Sequence, residues 1–389
     1  MYDLLKAKTA IRLFAALVII CGSRSVLDAR QLQSQRTNPQ SEAISSILRE
    51  VISKEGIPGI IAAITSSEGI VSIGSEGVRR INTKKQITNN DLIHIGSCTK
   101  AMTSLLIGIL VADNLIRWDT QLIQVFPELY EVIHPDFHSV TAWQLLTHRS
   151  RVPANAKNWW KYSNLELKKR RVELLKENLK NAPMIEPGSY QYSNLGYMIA
   201  GCIAEKITDD TWENLIKKRI FVPLNMRSAG FGPPGTLGKI EQPWGHLRSG
   251  PNWQPKQSDN AQSLGPAGRV HCNVENWAKF ISLQLPKNQS RALYDHDILN
   301  KLKTPTDQYA GGWIVVKRSW GKGFVLTHSG SNTMWYTVVW VAPRLNRAFI
   351  VATNSKDENS RSICDKLIGK LIKIDNNNVK FLEPKMYAP

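Results

Sequence analysis

The most informative segment of this 389-residue chain is Ile93-His94-Ile95-Gly96-Ser97-Cys98-Thr99-Lys100. It opens an apolar stretch that is predicted to form a helix over residues 97–113. Positions i and i+3 of a helix share one face, so Lys100 can reach Ser97. Burial disfavours a charged ammonium, and a neutral Lys100 could serve as the base that a serine nucleophile needs. Ser97 follows Gly96 at a helix start, where free backbone N–H groups can stabilise an oxyanion.

A second motif, Tyr192-Ser193-Asn194, places a phenol and an amide close together. A phenol can pass on a proton, and an amide can bind a substrate carbonyl. Residues 162–164 repeat this motif, and residues 319–322 repeat the Ser-x-x-Lys pattern. We favour Tyr192 because its motif follows a Pro-Gly turn and precedes an apolar helix. Glycines beside the second Ser-x-x-Lys copy predict a turn there, which would not hold its serine and lysine on one face.

A third motif, His328-Ser329-Gly330, is predicted to precede a strand. A glycine at this point would let a substrate lie against the strand edge. His328 could donate a hydrogen bond or a proton. The structural alternative is a histidine that only packs beside the strand.

The distribution of hydrophobic residues predicts strands at both ends of the chain and a mostly helical middle. Strands are predicted at residues 59–65, 70–73, 336–341 and 348–353, and a last helix near 359–373. Residues 251–270 are rich in proline, glycine and serine and are predicted to be a loop. The fold class is therefore α+β, an antiparallel sheet flanked by helices with an inserted, mostly helical subdomain at about 114–250.

The three motifs, in this order, resemble those of the serine β-lactamase-like superfamily. This superfamily includes class C β-lactamases, D-alanyl-D-alanine carboxypeptidases and related carboxylesterases. The resemblance extends over residues 43–373, and further segments that look like those of the family are 143–148, 187–194, 220–226 and 265–268. It implies the same fold class, a β-lactamase/penicillin-binding-protein-like architecture.

The resemblance also implies catalytic roles. Ser97 would be the acylated nucleophile, and Lys100 and Tyr192 would form the proton-transfer pair. The backbone N–H groups of Ser97 and Ser331 would form the oxyanion hole. No second carboxylate base for deacylation is evident in the sequence, so Tyr192 or the substrate itself would activate water.

On the substrate-binding side, the sequence departs from the family pattern. Asn194 would bind the acyl side of the substrate, and Gly330 would let it approach the strand. His328 stands where most β-lactamases have a lysine, so a permanent positive charge for a β-lactam carboxylate is missing. This favours esterase or amidase chemistry. Arg151 and Arg269 stand where relatives often have glycine, and they would narrow the cleft or bind an anion.

Metal and cofactor signals are weak. His134 and His138 have the i, i+4 spacing of zinc ligands, but Pro135 lies between them and no third ligand is evident. We expect no metal and no cofactor. Four cysteines follow the N-terminal segment, and their wide spacing is more typical of small buried residues than of a disulfide framework.

The composition is that of a basic globular protein. Hydrophobic residues make up 42% and charged residues 21% of the chain, and 50 Lys and Arg against 32 Asp and Glu give a net charge of +18. Such a charge favours contact with an anionic cell wall or membrane surface. No nucleic-acid-binding motif is present, so no nucleic-acid partner is expected. The lack of 18-residue apolar stretches beyond the N-terminus excludes a polytopic membrane protein.

The N-terminus has the pattern of an export signal over residues 1–23: a basic start, a short apolar run and small residues at its end. A polar leader (24–42), the hydrolase domain (43–375) and a C-terminal tail (376–389) would follow. The expected location is periplasmic or extracellular. An uncleaved signal that anchors the chain in a membrane is the alternative.

Three functions remain open at this point. The favoured one is an exported serine hydrolase that cleaves a small ester, amide or peptide through an acyl-enzyme on Ser97, as carboxylesterases and peptidases do. The second is a β-lactamase or D-alanyl-D-alanine carboxypeptidase. The third is a catalytically silent protein that binds cell wall or membrane, against which the intact Ser97, Lys100 and Tyr192 argue. The sequence does not determine the oligomeric state.

Overall fold

The computed structural model describes residues 38–382, with side chains to residue 376. The predicted export signal, most of the polar leader and the last seven residues lie outside the described residues. Helix α1 (Pro39–Glu55) begins inside the predicted leader because the Asn38 side chain accepts a hydrogen bond from the Gln40 backbone N–H at 3.0 Å. Pro39 suits the first helical position, where no backbone N–H is needed.

The described residues form eleven strands. They are Gly59–Ser66 (β1), Gly69–Gly77 (β2), Leu92–His94 (β3), Gly230–Phe231 (β4), Gly245–Ser249 (β5), Asn252–Lys256 (β6), Val270–Asn273 (β7), Ile314–Arg318 (β8), Gly323–Ser331 (β9), Tyr336–Ala342 (β10) and Arg347–Thr353 (β11). The main sheet is antiparallel with the strand order β2-β1-β11-β10-β9-β8. Two small sheets, β3-β7-β4 and β5-β6, lie outside it.

The α-helices fill most of the middle of the chain. After α1 they are Thr99–Ala112 (α2), Leu122–Val125 (α3), Ala142–Leu146 (α4), Leu167–Asn178 (α5), Asn194–Thr208 (α6), Trp212–Ile216 (α7), Gly265–Gly268 (α8), Val274–Ile281 (α9), His296–Lys301 (α10) and Ser360–Leu382 (α11). Short 3₁₀ turns, such as Gly96–Cys98, and one π-helical turn, Lys217–Phe221, connect them. The predicted fold class is confirmed.

Strand β1 shows how the main sheet is buried. All eight of its residues are buried, which explains its continuous apolar sequence. Alternate side chains point to opposite faces of a strand. Ile60 and Ile64 therefore pack with α1 and α11, and Ile61 and Ala63 pack into the larger core with the helical subdomain.

Several predicted elements differ from the structure. The predicted loop at 251–270 contains β6, a 3₁₀ turn and α8, because single buried residues such as Trp253 carry too weak a pattern to reveal a strand. The third motif lies inside β9 instead of preceding a strand. Helix α11 continues to Leu382, beyond the predicted end near residue 373.

Within residues 38–382, no helix combines the length and the apolar character that a membrane span requires. The four cysteines of this part of the chain are buried and unpaired.

Candidate active site

Ser97 lies where strand β9 touches the start of α2. Gly96 has a φ of +49°, and a side chain on it would collide with the backbone nitrogen of Ser331. A Cβ on Gly330 would lie 2.7 Å from the backbone nitrogen of Ser97. The two glycines thus allow the close approach that brings the Ser97 and Ser331 amides together, as the expected oxyanion hole requires.

Lys100 is completely buried, and its Nζ contacts three oxygen atoms. Nζ lies 3.0 Å from Ser97 Oγ and 2.8 Å from both Asn194 Oδ1 and the Ala267 carbonyl oxygen. Burial lowers the pKa of Lys100 well below its usual value, which favours the neutral amine. A neutral amine has two N–H groups and one lone pair. The N–H groups match the amide and carbonyl oxygens, so the lone pair is left for the Ser97 hydroxyl.

Tyr192 lies beside the Ser97–Lys100 pair. Its ring centre is 4.8 Å from Lys100 Nζ. Burial raises the pKa of the Tyr192 phenol, while a hydrogen bond with the Ser97 hydroxyl acts in the opposite direction. The phenol is therefore neutral, and it is placed to donate a proton during the reaction.

Sequence reasoning missed His148, which holds the Tyr192 motif in place. Its side chain is buried, and its Nδ1 accepts a hydrogen bond from the Ser193 backbone N–H at 3.0 Å. Its ring centre lies 4.4 Å from that of Tyr192. Burial lowers the pKa of His148 to about 2, so the ring is neutral. The segment 143–148 resembles the family, but the resemblance assigns no role to this histidine.

Asn194 is the first residue of α6. The Ser193 side chain caps this helix by accepting a hydrogen bond from the Gly196 N–H at 2.8 Å, which fixes where Asn194 points. Its Oδ1 accepts from Lys100, and its Nδ2 donates to Asn155 Oδ1 at 2.9 Å. Asn194 therefore links the base to the open cleft, which it also lines.

His328, which was expected to offer a substrate a hydrogen bond or a proton, has both ring nitrogens in contact with protein groups in this structure. Its side chain is buried within the sheet face. Nδ1 lies 2.6 Å from the Ser329 carbonyl oxygen and must donate to it, so Nε2 accepts from the Tyr309 hydroxyl at 3.1 Å. Burial, together with nearby Lys100, lowers the pKa of His328 to about 3. The ring is neutral, and both nitrogens are engaged.

The two arginines that replace family glycines are also engaged by protein groups. Arg151 donates to the Ile185 carbonyl oxygen at 2.8 Å and to Asp136 at 3.3 Å. Arg269 donates to the buried carboxylate of Asp259 at 3.1 Å. Each guanidinium is thus paired with a carboxylate, which offsets the positive charge that a substrate anion would meet.

The second copies of the two motifs, at residues 162–164 and 319–322, lie in other structural settings. Tyr162 has a φ of +64°, and its carbonyl oxygen accepts a hydrogen bond from Arg170 at 3.1 Å. Ser319 and Lys322 belong to the turn between β8 and β9, where the Lys322 N–H donates to the Ser319 carbonyl. The structure brings together Ser97, Lys100 and Tyr192 instead.

An open cleft of about 580 Å³ lies over Ser97. Its lining includes Asn155, Trp159, Trp160, Asn194, Leu247, Lys256, Asp259, Leu264, Ser331, Asn332 and Met334. A larger cavity of about 890 Å³ lies elsewhere, between residues 67–73 and 287–290, and contains none of the candidate site residues.

Among residues 38–382, no cluster of three or more His, Cys, Asp or Glu side chains is arranged to hold a metal ion. His134 instead accepts a hydrogen bond from the Asp136 backbone N–H at 3.3 Å and caps a 3₁₀ turn. The ring of His138 packs against Tyr130 at 4.5 Å between centres.

The sequence model of the Beta-lactamase family matches residues 44–371. This chain belongs to the β-lactamase family. The match confirms the predicted family and, with it, the predicted enzyme class of serine hydrolase. The family signal covers both the main sheet and the helical subdomain.

Relatives and structural neighbours are distant in sequence. The Unguisins hydrolase ungD' of Aspergillus campestris is 23% identical over 338 residues, which are 82% of this chain and 62% of that protein. Protein flp of Staphylococcus aureus is 20% identical over 343 residues, 86% of this chain and 67% of that protein. The chain thus spans under two thirds of the length of the Aspergillus relative.

Two solved structures illustrate the shared fold. The octameric penicillin-binding protein homologue from Pyrococcus abyssi has a TM-score of 0.71 and 21% identity, with 85% of this chain and 77% of that chain covered. The D-amino acid amidase from Ochrobactrum anthropi SV3 has a TM-score of 0.70 and 19% identity, with 88% and 100% covered.

Proposed function

We propose that this protein is an exported serine hydrolase that cleaves small esters or amides through an acyl-enzyme on Ser97. The observation that carries the proposal is the buried Lys100, whose Nζ lies 3.0 Å from Ser97 Oγ while two other acceptors take its N–H groups. A serine needs a base within hydrogen-bond reach to attack a carbonyl. Export is supported by the signal pattern of residues 1–23.

The geometry supports an acyl transfer in which each proton has a donor and an acceptor. Ser97 Oγ attacks the substrate carbonyl and gives its proton to neutral Lys100, while the Ser97 and Ser331 amides hold the oxyanion. When the bond to the leaving group breaks, Tyr192 donates its proton to that group and recovers one from Lys100. Water then attacks the acyl-enzyme, and its proton returns through the same pair, which restores the Ser97 hydroxyl and releases the acid.

The charges of the cleft favour substrates without a carboxylate. His328 is neutral and buried, and both Arg151 and Arg269 are held by protein oxygens. The described cleft lining includes a single Lys or Arg, Lys256, which is exposed at the rim. Apolar side chains such as Trp159 and Met334 add a surface for an apolar acyl group. We therefore place short acyl esters and neutral amides ahead of penicillins and D-alanyl-D-alanine peptides.

This proposal predicts that a p-nitrophenyl ester is hydrolysed much faster than nitrocefin or a D-alanyl-D-alanine peptide at pH 7–8. Intact mass spectrometry should show a fluorophosphonate or acyl adduct on the parent protein. The matched variant Ser97→Ala should keep the fold, lose the adduct and lose turnover by about 10⁴–10⁶-fold, as when a member of a catalytic unit is removed.

Two outcomes would contradict the proposal. Efficient nitrocefin hydrolysis with negligible ester turnover would favour the β-lactamase alternative. A parent protein that forms no adduct with any of these probes would favour the silent binding protein.

A further inference from the structure

A buried carboxylate, Asp259, lies at the wall of the cleft and was not recognised in the sequence. Its side chain is only 2% exposed. His94 Nε2 lies 3.1 Å from Oδ1, and Asn332 Nδ2 donates to the same oxygen at 3.0 Å. Arg269 Nε donates to Oδ2 at 3.1 Å. The carboxylate also accepts the N–H of its neighbour Asn260 at 2.7 Å.

One arm of this network leads to the Ser97 amide. His94 is completely buried, and its Nδ1 accepts a hydrogen bond from the Gly96 backbone N–H at 3.1 Å. Nε2, on the other side of the ring, is the nitrogen that lies 3.1 Å from Asp259 Oδ1. Gly96 directly precedes Ser97, so the contact between His94 and Asp259 sets the orientation of the peptide units that carry the first oxyanion donor.

The other arm leads to the Ser331 amide. Asn332 follows Ser331 directly, is buried, and is held to Asp259 by its side-chain amide. Its Oδ1 accepts the Met334 N–H at 3.2 Å and shapes the turn after β9. The same carboxylate thus connects to the segment behind each of the two backbone donors.

Asp259 is unsuited to be a base. Both of its oxygens are occupied by donors. Burial alone would raise its pKa, but His94, Arg269 and Asn332 together hold the pKa of Asp259 below its usual value. An ionised, fully hydrogen-bonded carboxylate orients its partners and does not accept a proton from water.

We infer that Asp259 is the positioning residue of the oxyanion hole, which it holds in shape by fixing both backbone donors through His94 and Asn332. The inference rests on the proposed function, because it assigns Asp259 to the same acyl-transfer site. A preorganised hole matters because its donors must point to where charge develops in the transition state.

The test is Asp259→Asn in the full-length protein. The amide places an N–H group against at least one of the groups that donate to Asp259, so the network cannot keep its arrangement. We expect kcat for a p-nitrophenyl ester to fall by about 10²-fold, the cost of a small misplacement at a reacting centre, with little change in KM. Affinity for an arylboronic acid, which forms a tetrahedral adduct on Ser97, should fall in parallel. A purely structural role would lower the melting temperature and leave boronate affinity unchanged in the folded protein.

Two further variants complete the design. Asp91→Asn is the matched control, since Asp91 is equally buried and paired with Arg79 at 2.6 Å but lies outside the cleft lining. It should lower stability and leave kcat and boronate affinity unchanged. Asn332→Ala cuts only the arm to Ser331, and it should lower both quantities by less than Asp259→Asn does.

The outcomes separate this inference from the proposed function. Parent-like kcat and boronate affinity in folded Asp259→Asn would overturn the inference while Ser97 acylation in the parent still stands. If Asp259→Asn does not fold, Asn332→Ala decides in the same way. A parent protein that forms neither an acyl-enzyme nor a boronate adduct would overturn the proposed function and the inference with it.

Discussion

Lys100 and Tyr192 divide the proton transfers between them because burial acts on them in opposite ways. It lowers the pKa of the ammonium and raises the pKa of the phenol, so it favours the neutral form of both side chains. Lys100 then has a free lone pair, and Tyr192 has a proton to give. The rings of Tyr192, Tyr197 and Tyr309 pack around His148, with 4.4, 5.2 and 4.6 Å between ring centres.

We therefore expect Lys100→Ala and Tyr192→Phe each to lower the acylation rate severely. The double variant should be little worse than either single one, because groups that act as one relay are not additive. Pre-steady-state ester kinetics would measure this. Tyr162→Phe is the matched control and should be near neutral. If the two losses multiply in the double variant, the shared relay is wrong.

Among the structural elements, the contact between β9 and the start of α2 is the one that forms the site. A Cβ on Gly330 would meet the Ile95 carbonyl oxygen as well as the Ser97 nitrogen. Both contacts are with backbone, which cannot move aside as a flexible side chain can. The strand would have to shift away from Ser97, and the two oxyanion donors would separate.

Gly330→Ala should therefore leave the fold intact and lower the acylation rate by about 10²-fold. Circular dichroism and ester burst kinetics would test the two parts of this prediction. Gly369→Ala in α11 is the control, since a Cβ there meets nothing within 4 Å. An unchanged acylation rate in Gly330→Ala would mean that the strand contact does not shape the site.

At the scale of the whole molecule, three histidines of the described residues have a pKa that burial lowers to about 4 or less. Burial is the main cause in each case, and it lowers the pKa to about 2 for His148, about 3 for His328 and about 4 for His246. In the unfolded chain these rings titrate near 6.5. Below that pH the unfolded state binds more protons than the folded state, so acid favours unfolding.

We expect the free energy of unfolding to fall as the pH is lowered from 7 to 5. Each histidine contributes a slope of about 1.4 kcal/mol per pH unit below its unfolded pKa, so three contribute about 4 kcal/mol per pH unit at most. Urea unfolding at the two pH values would measure the loss. His246→Gln, which removes one of these groups outside the catalytic centre, should lower the slope by about 1.4 kcal/mol per pH unit at most. Equal stability at pH 7 and pH 5 would contradict the prediction.

The local patterns of the chain were enough to predict much of this molecule. The apolar run of β1, the helix after Gly96 and the spacing of Ser97 and Lys100 are short-range features, and short-range periodicity and helix geometry determine them. The same holds for choosing Tyr192 over Tyr162, since a turn and an apolar helix flank only the former. The order of the motifs then pointed to the family that the sequence match confirmed.

The surroundings of the site depend on long-range contacts that no local pattern contains. A hydrogen bond joins Tyr309, which precedes β8, to His328 in β9. His94, Asp259 and Asn332 meet from segments far apart in sequence. Whether Arg269 is a free cation depends on the carboxylate that folding brings beside it. Desolvation and hydrogen-bond partners set the charge of a buried group, and both exist only once the chain has folded.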